Sequence, residues 1–135
     1  MLFRSVGGTH ICLRRVEAGR IWELLESEAV THYNGAPTVQ IGVVNHPTAH
    51  RLTKSVTVTV AGAPPSPTLL GRMEELGIAI THLYGLTETY GPHVYCQMQP
   101  GWERLDVAGR AAFCAICSAG SRSHSAFQAH TVCGP

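Results

Sequence analysis

Residues 56–85 read VTVTVAGAPPSPTLLGRMEELGIAITHLYG, and this stretch settles the fold class. Val56 to Val60 favours a half-buried strand, because β-branched side chains pack well on a pleated surface, and Ala61, Gly62, Ala63, Pro64 and Pro65 close it. Ser66 suits a helix N-cap and Pro67 the first helical position, where a missing N–H costs nothing. Leu69, Leu70, Met73 and Leu76 then form one apolar face at helical spacing, and Gly77 supplies the stop. Ile78 to Leu83 predicts the next strand, ending at Tyr84 and Gly85. A strand, a helix and a strand joined this tightly make a crossover unit, so the class is α/β with parallel strands and a sheet expected to be covered by helices on both faces.

Upstream, Glu17 to Ala29 places Ile21, Leu24, Leu25 and Ala29 near helical spacing with glutamates between them, predicting an amphipathic helix. Val30 to Tyr33 predicts a short strand, broken by Asn34, Gly35, Ala36 and Pro37. Thr38 to Val44 predicts a second helix, capped by Thr38 and ended by Asn45, His46 and Pro47. Ile11, Cys12 and Leu13 within His10 to Arg14 predict a further strand, and Thr48 to Ser55 a surface connection. Gly35-Ala36-Pro37 and Gly62-Ala63-Pro64 each follow a strand and precede a helix, a repeat of local geometry and not of a solenoid.

Downstream, Val94 to Gln97 predicts another strand, after which the character changes. From Ala111 to Pro135 there is no Asp, Glu or Lys, and three cysteines fall in a Ser, Ala and Gly background. The expected division is a domain over 1–105 and an irregular, disordered tail over 106–135 of unrelated sequence, joined through a frameshift, an alternative exon or an error in the gene model.

The 135 residues allow one ordinary domain, which on folding buries about two-thirds of its extended surface. With 14% charged residues and a net charge of +1, charge-driven disorder and a nucleic-acid surface built on charge density are both excluded. All basic residues except Lys54 are Arg, and Asp106 is the lone Asp, so schemes needing several lysines and aspartates lack material. No apolar run approaches the roughly 20 residues of a membrane span, and Met1 to Gly8 lacks a signal-peptide core. A soluble cytoplasmic protein is expected, and Cys133-Gly134-Pro135 is no peroxisomal address.

In an open parallel sheet, ligands bind beyond the carboxyl ends of the strands. Ala61 to Pro65 and Tyr84 to Gly91 both occupy that position, and they become neighbours if their strands pair. Tyr84 offers a stacking face, Thr87 a donor to a phosphate oxygen, and Glu88 an oxygen ligand for Mg²⁺. Equally open on composition is a plain strand-to-strand turn with Thr87 and Glu88 in solvent.

Tyr84-Gly85-Leu86-Thr87-Glu88 resembles the YGxTE signature of the acyl-activating, adenylate-forming (AMP-binding) enzymes, and Ala61-Gly62-Ala63-Pro64-Pro65 resembles their GGAP loop, with Ala61 where the family usually has Gly. GGTHICLR, VTHYNGAPT, RMEELG, THLYGLTETYGP and the Trp102 region, in that order, resemble the acyl-CoA synthetase branch from about Gly7 to Leu105. The resemblance implies part of the helix-covered parallel sheet of an N-terminal subdomain. It implies attack of a carboxylic (fatty) acid on ATP to give an acyl-adenylate, then displacement of AMP by coenzyme A, with Mg²⁺ as cofactor. Gly62, Ala63 and Pro64 would line the adenine and Tyr84 would stack on it. Thr87 would contact the α-phosphate and Glu88 would hold Mg²⁺, the two forming the catalytic set, while Gly85 and Leu86 lie beside nucleotide and acyl group. His82 is a candidate for the acyl pocket.

The family's phosphate loop ending in Pro-Lys-Gly, its ribose-binding Asp motif and its small C-terminal domain with a catalytic Lys have no counterpart in these residues. The expectation is therefore a fragment of an acid–thiol ligase, inactive by itself and prone to self-association through exposed sheet edges. Two other classes stand beside it: a noncatalytic nucleotide-binding module, and an interaction protein with zinc on Cys114, Cys117, His124, His130 and Cys133. The remaining histidines show no close ligand pair, Cys12 and Cys96 are expected to be buried apolar groups, and Trp22 and Trp102 packing residues.

Overall fold

The computed structural model describes residues 7–119. Four helices, α1 (Ala18–Ser27), α2 (Pro37–Val44), α3 (Pro67–Glu75) and α4 (Val107–Ala119), alternate with strands β1 (His32–Gly35), β2 (Val56–Val60), β3 (Ile78–Leu86) and β4 (Gly91–Cys96). The strands lie in sequence order across one sheet, with β1, β2 and β3 parallel and β4 antiparallel to β3.

The helices form where apolar spacing and end signals agree. In α1 the buried residues Ile21, Trp22, Leu24 and Leu25 share one face, and the Trp22 indole N–H donates to the Val43 carbonyl at 3.0 Å, tying α1 to α2. In α3 the Ser66 hydroxyl accepts from the Leu69 N–H at 3.2 Å, Pro67 opens the helix, and Leu69, Leu70 and Met73 are buried. Gly77 follows with φ +79°, a conformation costly for any residue with a Cβ. The expected cap of α2 is corrected: Ala36 occupies the cap position and Pro37 starts the helix, so Thr38 lies inside it without capping.

Val56, Val58 and Val60 point into a core shared with Trp22, Leu25, Val43, Leu69, Met73 and Ile78, while Thr57 and Thr59 point the other way. Full burial of each aliphatic side chain stabilises by roughly 1.5–3 kcal/mol, so this face dominates the packing. α4 joins the same face, its Cys114 packing with Leu70 and Cys96 beside Ile80. The expectation of helices on both faces is thus corrected. Among the described residues the opposite face, with His32 and Asn34 exposed and Thr57, Thr59 and Thr81 half-buried, carries no helix.

Three further expectations change. His10 to Arg14 forms no strand and lies exposed, because no neighbouring strand among the described residues offers it a ladder. β3 runs on through Tyr84 and Gly85 to Leu86, and β4 begins at Gly91, so residues 84–91 are a strand end, a 3-10 turn (Thr87–Thr89) and a return. Residues 107–119, expected to belong to an irregular tail, form α4. Asp106 starts it by accepting the Gly109 N–H at 2.7 Å, and Arg110 grips both carboxylate oxygens of Glu74 on α3 at 2.9 and 2.7 Å. Residues 120–135 lie outside the described part. No helix among the described residues is long and apolar enough to cross a membrane.

Candidate functional site

The pairing of β2 with β3 places Val60 opposite His82, so both Gly-containing loops leave the sheet at its carboxyl end. Ala61 to Pro65 runs straight from β2 into the cap of α3. Gly62 sits at φ +94° with nothing within 4 Å of a notional Cβ, so its conformation and not its surroundings demands glycine. Ala63 and Pro64 are exposed beside it, whereas Pro65 is buried and anchors the loop.

The second loop is built by close backbone approach. A Cβ on Gly85 would fall 2.8 Å from the Gly91 carbonyl carbon and from Pro92 Cα, where an irregularity in register between Tyr84 and Gly85 brings β4 against β3. Only glycine fits. Tyr84 is half-buried before this constriction, and Leu86 is 48% exposed after it. Thr87 and Glu88 stand exposed on the 3-10 turn, and Tyr90, at φ +65°, is fully exposed. The plain-turn description is geometrically right, since these residues do connect two strands. The same turn also presents a hydroxyl and a carboxylate at the end of the sheet where a ligand can approach.

His82 does not stand open on this end. It is 1% exposed on the helix-covered face, and its Nδ1–H donates to the Val60 carbonyl at 3.0 Å, clasping β3 to the last residue of β2. Burial holds its pKa below the ordinary histidine value of 6.5, with the hydrogen bond to Val60 opposing in part, so the ring is neutral at pH 7.

A third loop arrives at the same end, which the sequence showed only as a repeated Gly-Ala-Pro. Gly35 lies opposite Val60, so Gly35-Ala36-Pro37 leaves the sheet level with the Ala61 to Pro65 loop, while β3 runs on past both to Leu86. Below it the buried Tyr33 hydroxyl donates to Gln40 Oε1 at 2.7 Å, and burial raises the Tyr33 pKa. Gln40 is fully buried and its Nε2 has no partner among the described residues. A Cβ on Gly35 would meet that nitrogen at 2.5 Å, so glycine makes room for the amide.

Among the described residues no three His, Cys, Asp or Glu side chains gather to hold a metal ion. Glu88, a carboxylate in solvent, fits an ion that takes most of its ligands from phosphates and water, as Mg²⁺ commonly does. Of the expected zinc set, Cys114 turns inward against Cys96, while the Cys117 side chain, His124, His130 and Cys133 lie outside what is described. Cys96 is buried as expected, whereas Cys12 is exposed, a correction that follows from the missing strand at His10 to Arg14. Trp22 is buried and stacks on His50, and Trp102 stacks on Phe113, both packing roles.

The family model for AMP-binding enzyme matches residues 1–118. The chain is 45% identical over 107 residues to probable acyl-activating enzyme 10 of Arabidopsis thaliana, covering 79% of this chain and 20% of that protein. It is 41% identical over 109 residues to 4-hydroxybutyrate–CoA ligase 2 of Metallosphaera sedula, again with 79% and 20% covered. Among solved structures, O-succinylbenzoate coenzyme A synthetase of Bacillus subtilis in complex with ATP and magnesium ion superposes with a TM-score of 0.62 at 23% identity, over 76% of this chain and 22% of that one. The N-terminal domain of FACL13 from Mycobacterium tuberculosis gives 0.62 at 22% identity, over 66% and 23%. The zinc-protein and noncatalytic alternatives are not favoured by these likenesses. The fold, the paired loops and the family match agree: the chain belongs to the AMP-binding enzyme family, and it spans about a fifth of the length of the curated relatives it matches.

Proposed function

We propose that the chain forms part of the nucleotide-binding region of an ATP-dependent carboxylic acid:CoA ligase. In that reaction a carboxylate oxygen attacks the α-phosphorus of ATP and pyrophosphate leaves; the thiol of coenzyme A then attacks the acyl carbon and AMP leaves. The observation that carries the reading is the joint placement of two loops past neighbouring parallel strands, one needing glycine for its φ at Gly62 and the other for close approach at Gly85.

Gly62, Ala63 and Pro64 border the adenine, and Tyr84 stacks against it. Gly85 and Leu86 lie beside the acyl carboxyl, where the absent side chain of Gly85 leaves space. Thr87 donates to an α-phosphate oxygen, and Glu88 supplies one ligand to Mg²⁺, which when bound neutralises phosphate charge. His82 acts on the acyl side only through position, by fixing β3 to the end of β2. No side chain here serves as a nucleophile, so the chain's contribution is orientation of reactants and exclusion of water.

These residues do not supply the groups that grip pyrophosphate and ribose. Lys54 is exposed in the connection before β2, and the Asp106 carboxylate is engaged as the cap of α4. Adenylation therefore needs protein beyond these 135 residues. The outer edges of β1 and β4 and the helix-free face support association with further sheet or with a second copy.

Calorimetric titration of the chain with ATP and an acyl-adenylate analogue tests the reading. Binding in the micromolar range is expected in Mg²⁺, weakened about tenfold by Glu88→Ala with Mg²⁺ present and unchanged by it in chelator. Folded chain that shows no saturable binding would overturn the proposal.

A further inference from the structure

Beside His82 on the neighbouring strand β4, two buried thiols face one another across an element boundary. Cys96 closes β4 and Cys114 lies in the middle of α4; their Sγ atoms are 3.7 Å apart, and each residue is 6% exposed. They pack with Leu70, with Val94 and Phe113 alongside. A disulfide requires the sulfurs to close by about 1.7 Å, from 3.7 Å to the roughly 2.0 Å of the bond.

We propose that Cys96 and Cys114 form a reversible disulfide that fastens α4 to the edge strand of the sheet. The step balances with hydrogen peroxide as oxidant. One thiolate attacks a peroxide oxygen, the O–O bond breaks, and a sulfenic acid forms with release of water. The second thiolate then attacks that sulfur and expels the oxygen as a second water, so two thiols are oxidised while peroxide is reduced. Two equivalents of an external thiol reverse it: the first breaks the bond to give a mixed disulfide and one free cysteine, and the second attacks the mixed disulfide to free the other cysteine and leave as the external disulfide.

The position of the pair gives the bond a mechanical consequence. α4 is otherwise held by Arg110 on Glu74 and by the Trp102–Phe113 stack with ring centroids 4.5 Å apart, contacts that release together when the helix lifts. A bond between residues 18 apart removes the open states of that segment. Burial of both sulfurs means that oxidant and reductant reach them when α4 opens, so formation and reversal are slow, and the fastened state persists once made.

The test uses the full chain, treated with hydrogen peroxide under native conditions and in urea, quenched by alkylation and mapped by mass spectrometry. The expected product, once the slow native reaction has reached its plateau, is a peptide pair joining 96 to 114 whose share of all cysteine-linked peptide pairs is at least about tenfold larger natively than in urea, since the fold and not chance encounter brings the thiols together. Cys96→Ser or Cys114→Ser removes it, and Cys12→Ser leaves it. Tryptic cleavage after Arg110 is expected to slow about tenfold in the oxidised chain. The proposal falls if the 96–114 pairing is no commoner natively than in urea, or if the linked chain is cleaved as fast as the reduced one.

Discussion

Replacing Gly85 with alanine separates two ways in which a loop can need glycine. The new Cβ would meet the Gly91 carbonyl group and Pro92 Cα, at 2.8 Å from both carbon atoms. These are backbone atoms fixed by the β3–β4 ladder, with no flexible side chain to move aside, so the turn must open or the strands slide. Overpacking of this kind costs about 1–3 kcal/mol. For a chain of this size each kcal/mol lowers Tm by about 3–5 °C, so a fall of roughly 3–15 °C is expected. Gly62→Ala is the matched comparison, because φ is +94° there but nothing lies within 4 Å of the added carbon. Its cost is backbone strain only, about 1–2 kcal/mol. Thermal melts by circular dichroism, with ATP titration well below either Tm, read both effects. Both variants should bind ATP less well, and Gly85→Ala should lose more stability. A Gly85→Ala chain that melts no lower than Gly62→Ala and binds ATP normally would refute the close-approach reasoning.

The buried neutral His82 makes stability fall with acidity: its folded pKa lies below the unfolded value of 6.5, so the unfolded chain binds the extra proton as pH drops through 6.5. Urea midpoints should decline from neutral pH through that region and decline less in His82→Gln; parallel profiles would remove His82 as the cause. The Tyr33–Gln40 pair should behave non-additively, since either partner without the other leaves a buried polar group unmatched. Gln40→Met is expected to cost about 1–3 kcal/mol, and the double change with Tyr33→Phe much less; equal costs in urea titrations would contradict this.

What was legible in the sequence is what local chemistry fixes. Val56 to Val60 and the helix from Pro67 were clear because β-branched alternation, a Ser-Pro start and a glycine stop all act within a few residues. The loop at Gly62 followed from the break after that strand. His10 to Arg14 misled because apolar composition says nothing about whether a partner strand is adjacent. The stretch 107–119 misleads in the opposite sense: loss of charge suggests irregularity, yet a helix buried against Leu70 and Cys96 needs little charge, and its start rests on the cap at Asp106. The Tyr33–Gln40 bond was invisible because helical spacing assigns Gln40 no reason to be buried.

By itself the sequence determined the alternation of strands and helices, the parallel pairing of β2 with β3, and the two loops whose motifs mark the AMP-binding family. Those follow from side-chain shape and turn chemistry acting over short distances. The tertiary structure decided that β4 returns antiparallel, that the helices share one face, that His82 turns inward, and that Cys96 meets Cys114. Each of these depends on which surfaces far apart in the chain come to exclude water together, and no local pattern encodes that choice.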